Sequence, residues 1–169
     1  MKNAYINGII LDGSENMIPQ KGKIIFTDGS KIEKITDESA ADADLKGYDI
    51  VDLGGKYLMP GLINLHVHLP ANGKPKKKES DPVKLVKLIT SSGLTRKLGI
   101  KLCSSYAYTQ LMSGVTTIRT VGGVADFDTI IRDDINAGKL KGPRIIASNM
   151  AVSVEGGHMA HSLAYVAKT

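Results

Sequence analysis

Disulfide-forming cysteines, long apolar runs and a signal peptide are all missing from this sequence. One residue of 169 is a cysteine, Cys103, so the chain cannot form an internal disulfide, and a buried unreactive thiol on a helix is the ordinary state of such a residue. No run reaches the ~18 consecutive apolar residues that a membrane helix requires. Met1–Ile6 does not have the layout of a signal peptide. These absences predict a reduced, cytoplasmic protein that does not associate with membranes.

The net charge of +5 comes partly from one basic cluster, Lys74–Lys78. Basic clusters can bind the phosphates of nucleic acids. However, Glu79 and Asp81 follow the cluster directly, and no aromatic residue is interleaved with the lysines for base stacking. The sequence therefore favours a solvated surface loop over a nucleic-acid-binding module, and we expect no nucleic acid partner.

Hydrophobic periodicity divides the chain into two parts, residues 1–60 and residues 61–169. The first part has short strands broken by turn residues, and the second alternates strand and helix, which is typical of a parallel sheet. The content of 42% hydrophobic residues is that of a globular protein. We expect strands in the first part at Ala4–Leu11, Lys23–Thr27, Lys31–Ile35, Ile50–Leu53 and Lys56–Met59. The last two should pair across Gly54-Gly55. In the second part we expect strands at Leu62–Val67, Val115–Val121 and Arg144–Ala147, with helices at Pro82 to about Gly93, about Thr95–Ser113, Asp126–Gly138 and Ala160–Thr169.

The segment Leu58–Pro70 carries the strongest functional signal. It reads as a turn, an apolar strand buried on both faces, and two histidines, His66 and His68, spaced two residues apart. Side chains at this spacing on a strand point the same way, so one strand end would present two imidazoles together. Imidazole binds zinc, and also iron, nickel and copper. The alternative interpretation is one buried core histidine with one solvated neighbour.

Four segments in order along the chain resemble one family. Leu58–Pro70 resembles the metal-binding signature of the amidohydrolase superfamily at the end of its first barrel strand. Gly114–Gly123 is similar to the second strand with its loop. Gly142–Met150 and Gly156–His158 are similar to the third strand with its loop, in the form found in imidazolonepropionase-like and prolidase-like enzymes.

The resemblance implies an α/β fold in which the first three βα units of a metal-dependent (β/α)₈ barrel follow a segment of a small β-sandwich, residues 1–60. It implies hydrolysis of a C–N bond in a small-molecule substrate, either a dipeptide or a cyclic amide, with hydrolytic deamination of a ring as a close variant. It implies one or two divalent metal ions, zinc being favoured, with His66 and His68 as ligands. The metal would lower the pKa of a bound water and polarise a carbonyl group.

Two further residues are candidates for substrate binding, because active-site groups of such barrels follow the carboxyl ends of strands. His158 lies in the loop that borders the substrate pocket in the resembling family, although it could equally be a loop histidine that structures its own turn. Arg119 lies near the end of the second barrel strand and could bind a substrate carboxylate, or it could form an ion pair at the barrel rim.

The family's remaining ligands, namely a lysine, two histidines and an aspartate, come from strands four, five, six and eight, and these strands are not in this chain. We therefore expect the N-terminal part of an enzyme of roughly 400 residues, allowing ~250 for the barrel, and we expect this part alone to be inactive and marginally stable. Its first and third strands would be open edges. The alternative is a non-catalytic half-barrel remnant that acts only by assembly, as a homo-oligomer or with a complementing chain.

Overall fold

The computed structural model describes residues 1–40, 43–73 and 81–168. The chain divides into two compact units, Met1–Pro60 and Gly61–Thr169. The basic cluster at 74–78 lies outside the described residues, so the surface loop expected there stays a prediction. None of the helices formed by the described residues is long and apolar enough to span a bilayer.

The first unit is a small β-structure. Its strands are β1 (Lys2–Ile6), β2 (Ile9–Ile10), β3 (Lys23–Asp28), β4 (Lys31–Asp37), β5 (Asp49–Asp52) and β6 (Tyr57–Leu58). Four of them form a sheet in the order β4-β3-β1-β5, and β2 pairs with β6. The β3–β4 hairpin confirms the strands predicted at Lys23–Thr27 and Lys31–Ile35, and the unit's small core consists of Ala4, Ile24 and Phe26.

Two strand predictions in this unit are wrong for one shared reason. The strand expected at Ala4–Leu11 breaks at Asn7, which has a φ of 53°. The two strands flanking Gly54-Gly55 do not pair with each other; β5 runs parallel to β1, and β6 runs parallel to β2. The Gly55 amide donates to the Asn7 carbonyl at 2.7 Å. The β1–β2 and β5–β6 segments therefore bend at the same point, and β2 and β6 then form a separate two-stranded sheet.

The second unit has the predicted alternation of strands and helices. Its elements are β7 (Leu62–Val67), α1 (Pro82–Thr90), α2 (Gly93–Met112), β8 (Val115–Thr120), α3 (Phe127–Asn136), β9 (Arg144–Ile146), β10 (Ala151–Ser153) and β11 (Ala164–Val166). The strands β7, β8 and β9 form a parallel sheet in that order, which confirms the predicted sheet.

A capping carboxylate stabilises the start of α1, and an ion pair links α2 to α3. The Asp81 carboxylate accepts from the amides of Val83 and Lys84, with proline at the first helical position. Asp126 occupies the predicted N-cap position of α3 but makes no capping bond, because its carboxylate pairs with Arg96 of α2. That guanidinium lowers the pKa of the Asp126 carboxyl. The ion pair thereby joins α2 to the start of α3.

One face of the β7–β8–β9 sheet is covered by helices and the other is exposed. Val67, Ile118 and Ile145 belong to a core with helix residues such as Phe127. By contrast, Ile63 and Ile146 on the other face are 65% and 47% exposed, and Leu62 and Leu65 of β7 are also exposed, at 50% and 53%. The burial of β7 on both faces that its composition predicted is therefore not found among the described residues. Within the same residues β7 and β9 each pair only with β8, and the sheet is not a closed barrel.

The last predicted helix is also wrong. Ala160 forms an isolated bridge with Ala164, residues 161–163 form a turn, and Ala164–Val166 is the short strand β11, which pairs in parallel with β10. Met159 and His161 have φ angles of 59° and 63°, in the left-handed region that interrupts a right-handed helix.

Candidate metal centre

A bulge at the end of β7 presents the two histidines. The ladder pairs Asn64 with Ile118 and then Val67 with Thr120, so β7 contains one residue more than β8 across this stretch. Bulges of this kind change the direction of side chains. Two side chains bind the backbone groups at the bulge. Arg119 Nε donates to the Leu65 carbonyl at 3.0 Å, and the His66 amide donates to Asn64 Oδ1 at 3.1 Å.

The imidazoles of His66 and His68 lie side by side beyond this bulge. Their ring centroids are 5.3 Å apart and their planes are inclined by 73°. A zinc-bound nitrogen lies ~2.0–2.1 Å from the metal, which puts each ring centre roughly 3.2 Å away, and a tetrahedral angle between two ligands then requires about 5 Å between ring centres. The observed separation of the ring centres meets that distance requirement.

A single hydrogen bond fixes the tautomer of His68. Its Nδ1 lies 2.9 Å from the carbonyl oxygen of Gly122. A carbonyl can only accept, so Nδ1 carries the proton and donates, which leaves Nε2 of the neutral ring with a free lone pair. A metal-binding histidine almost always donates its other ring N–H in this way. The half-buried His68 is thus held with Nε2 available, while His66 is exposed.

The loop after β8 is shaped around this imidazole. Gly122 has a φ of 148°, a region essentially restricted to glycine, and a Cβ there would lie 3.3 Å from His68 Cε1 and Nδ1. The next residue, Gly123, donates its amide to the Asn149 carbonyl at 2.6 Å. The Asn149 side chain in turn accepts from the amide and the hydroxyl of Thr129. The loops after β8 and β9 are therefore joined beside the histidine pair.

A buried carboxyl group beneath this loop was not anticipated from the sequence. Asp128 is 0% exposed, and a Cβ on Gly123 would lie 2.6 and 2.7 Å from its two oxygens. Burial raises the pKa of the Asp128 carboxyl, although Thr120, the Asn149 backbone and His68 oppose the rise. Nothing in the sequence marks it out, because an aspartate in the first turn of a helix is normally a solvated group that favours the helix dipole.

The other candidate residues do not complete a set of metal ligands with His66 and His68. Arg119 is at the bulge, bonded to the Leu65 carbonyl. His158 is exposed in the turns after β10, and His161 Nε2 lies 2.9 Å from Glu155 Oε1. The described residues contain no group of three or more His, Cys, Asp or Glu side chains able to hold a metal ion, so the centre consists of two imidazoles. Substrate binding by His158 and Arg119 remains a prediction.

Known proteins resemble this chain in sequence and in structure. No family model matches the chain. Over 70 residues it is 33% identical to a 5-methylthioadenosine/S-adenosylhomocysteine deaminase of Bacillus thuringiensis (strain Al Hakam), a match covering 41% of this chain and 16% of the relative. The solved structure of a Xaa-Pro dipeptidase with bound methionine is 30% identical, with a TM-score of 0.65 over 90% of this chain and 34% of that one. An amidohydrolase structure that is 23% identical has a TM-score of 0.77 over 100% of this chain and 41% of that one, and at this identity it shows the fold alone.

The chain spans 16% of the length of the curated deaminase and 34% of the dipeptidase. The structural match extends through nearly the whole of this chain, from the β-structure of the first unit to the strands after the histidine pair. One of these two relatives is a deaminase by name and the other a dipeptidase. The chain therefore resembles members of the amidohydrolase superfamily, in fold over nearly its whole length and in sequence over part of it.

Proposed function

We propose that His66 and His68 are two ligands of a divalent metal ion, zinc being favoured, in an enzyme that hydrolyses a C–N bond of a dipeptide or cyclic amide. The observation that carries this proposal is the paired imidazoles, 5.3 Å apart, with the His68 Nδ1 proton committed to the Gly122 carbonyl. The metal would supply an activated water and polarise the substrate carbonyl. The chain's own contribution is to hold both imidazoles in one orientation at the end of a rigid strand.

The alternative chemistry within the same superfamily is hydrolytic deamination of a ring. The curated relative that is 33% identical over 70 residues is a deaminase by name. Both reactions use a metal-bound water as the nucleophile, so the histidine pair serves either one. They differ in product: a deaminase releases ammonia, whereas a dipeptidase or cyclic amidase releases a carboxylate and an amine.

We further propose that the 169-residue chain alone is inactive. A catalytic zinc site normally has three protein ligands and a water, and this chain supplies two imidazoles. The missing ligands and a general base would come from further barrel strands, whether in a longer chain or in a complementing one. The exposed apolar face of the sheet and its two unpaired edges support this requirement. The second interpretation, a half-barrel that acts only through a partner chain, shares these observations.

The first test is metal binding by the chain itself. Zinc binding would be measured by competition with a chromophoric chelator for the wild type, for His66→Asn/His68→Asn, and for His161→Asn as the matched control. His161 is exposed and paired with Glu155. We expect the double variant to lose at least tenfold in affinity and the control to keep the wild-type value. Equal affinities for all three proteins would overturn the assignment.

The second test is activity. The chain with Zn²⁺ would be incubated with Xaa-Pro dipeptides, cyclic amides and adenine nucleosides, and amine, carboxylate and ammonia would be quantified. We expect no turnover above the metal ion alone. Turnover that disappears in the histidine double variant would contradict the proposed inactivity, while its product would identify the reaction.

A further inference from the structure

Asp128 is the most unusual polar side chain among the described residues. It is completely buried, and neither carboxyl oxygen accepts a hydrogen bond of normal geometry from a described residue, although the Thr120 side chain and the Asn149 backbone lie close enough to oppose the rise in its pKa. Burying a carboxyl group without partners costs stability, and most buried polar groups avoid that cost by pairing. A native structure that retains such a group has a reason to do so that lies outside the packing of the core.

The position of this carboxyl group suggests the reason. Asp128 lies in the first turn of α3, but its side chain lies against the Gly122–Gly123 turn, within 2.6–2.7 Å of where a Gly123 Cβ would be. On the same turn, the Gly122 carbonyl accepts the proton of His68 Nδ1. The carboxyl group and the imidazole therefore act on one two-residue segment.

We propose that Asp128 is a positioning residue for the metal centre: its side chain packs against Gly123 and keeps the Gly122–Gly123 turn against the His68 ring. This inference rests on the proposed metal site. A group behind a ligating histidine fixes its orientation and raises its basicity, and loss of such a group typically reduces metal affinity 10–100-fold.

The test compares Asp128→Asn with Asp133→Asn. Both substitutions remove one negative charge from α3 with almost no change in shape, but Asp133 is exposed and pairs with Arg132. We expect Zn²⁺ affinity to fall at least tenfold in D128N and to stay within twofold of wild type in D133N. We also expect the melting temperature of D128N to be no lower than that of wild type, because the buried carboxyl group that it replaces makes no hydrogen bond of normal geometry. A lower melting temperature with unchanged affinity would mean that Asp128 is structural, and would overturn the proposal.

A spectroscopic readout separates this inference from the proposed function. In ¹⁵N spectra of the metal-free chain, we expect His68 to be protonated on Nδ1 in wild type and to become a mixture of tautomers in D128N. Failure of the histidine double variant to lose zinc would reject the metal site, whereas an unchanged His68 tautomer in D128N would reject the role of Asp128. Should D128N fail to fold, the wild type decides: Zn²⁺ should shift the carboxyl ¹³C resonance of Asp128 and leave that of Asp133 unchanged, and no shift at Asp128 would overturn the proposal.

Discussion

A single glycine determines how closely the loop after β8 can approach the histidine pair. Gly122→Ala should be costly for two reasons, since its φ of 148° suits only glycine and the new Cβ would lie 3.3 Å from the His68 ring. We expect a loss of about 1–3 kcal/mol in the free energy of unfolding, together with displacement of the His68 ring resonances. Urea denaturation and NMR would measure both effects.

The control for this substitution is Gly138→Ala. Gly138 also has a positive φ, of 71°, but no atom of the described residues outside its immediate chain neighbours lies within 4 Å of where its Cβ would be. The alanine should therefore incur the backbone cost of a positive φ without touching the imidazole. If both variants lose stability equally and neither shifts His68, the loop does not hold the ring.

A second residue-scale prediction concerns Cys103, which is buried in the core with α3. Burial, assisted by the charge of Asp128, raises the pKa of this thiol from 9.0 to about 12. A group whose pKa is raised by folding contributes its full stability below the unfolded pKa and loses it as pH rises through the folded one. The stability supplied by Cys103 should therefore be constant up to about pH 9 and fall between about 9 and 12, by at most ~1.4 kcal/mol per pH unit.

Urea unfolding of the wild type and Cys103→Ala from pH 7 to 11 would measure this effect. Lysines and tyrosines titrate in the same range, but they are common to both proteins, so the difference in free energy of unfolding isolates the thiol. We expect the advantage of wild type over C103A to decrease above pH 9. A constant difference up to pH 11 would show that the thiol ionises without opposition from its surroundings.

At the scale of elements, the periodicity of the sequence predicts secondary structure correctly where the residues of a segment determine its own conformation. The starts of α1 and α3 follow from Asp81-Pro82 and Asp126, and the parallel strands β7, β8 and β9 follow from apolar runs bounded by glycine. The predictions fail where contacts between segments distant in sequence determine which strands pair. Whether β5 pairs with β6 or with β1 depends on the bond between Gly55 and Asn7, which are far apart in sequence.

The candidate site was likewise predictable from the sequence only in part. The spacing of His66 and His68 indicates a shared direction, and the structure places their rings side by side. The bulge that aims them could not be inferred, because it depends on the register between β7 and β8. The same is true of Asp128, whose burial results from the packing of α3 against the Gly122–Gly123 turn.

At the scale of the whole molecule, the exposed face of the β7–β8–β9 sheet should govern the behaviour of the chain in solution. Leu62, Ile63 and Leu65 are exposed apolar side chains on an edge strand, and exposed apolar edges promote association. We expect the isolated chain to bind the dye ANS and to self-associate at micromolar concentration, as measured by fluorescence and light scattering.

Ile63→Lys should weaken both signals, and Ile18→Lys is the matched control. The two isoleucines are almost equally exposed, at 65% and 66%, but Ile18 lies in a loop of the first unit rather than on a sheet. If association comes from the sheet face, only I63K will reduce it, whereas equal effects would point to net charge alone. In a longer chain or a complemented complex that closes the barrel, Ile63 would be buried. Ile63→Lys, which improves the solubility of this chain, should therefore prevent folding or assembly there. Improved solubility in both contexts would show that this face stays open, and would favour the half-barrel over the closed enzyme.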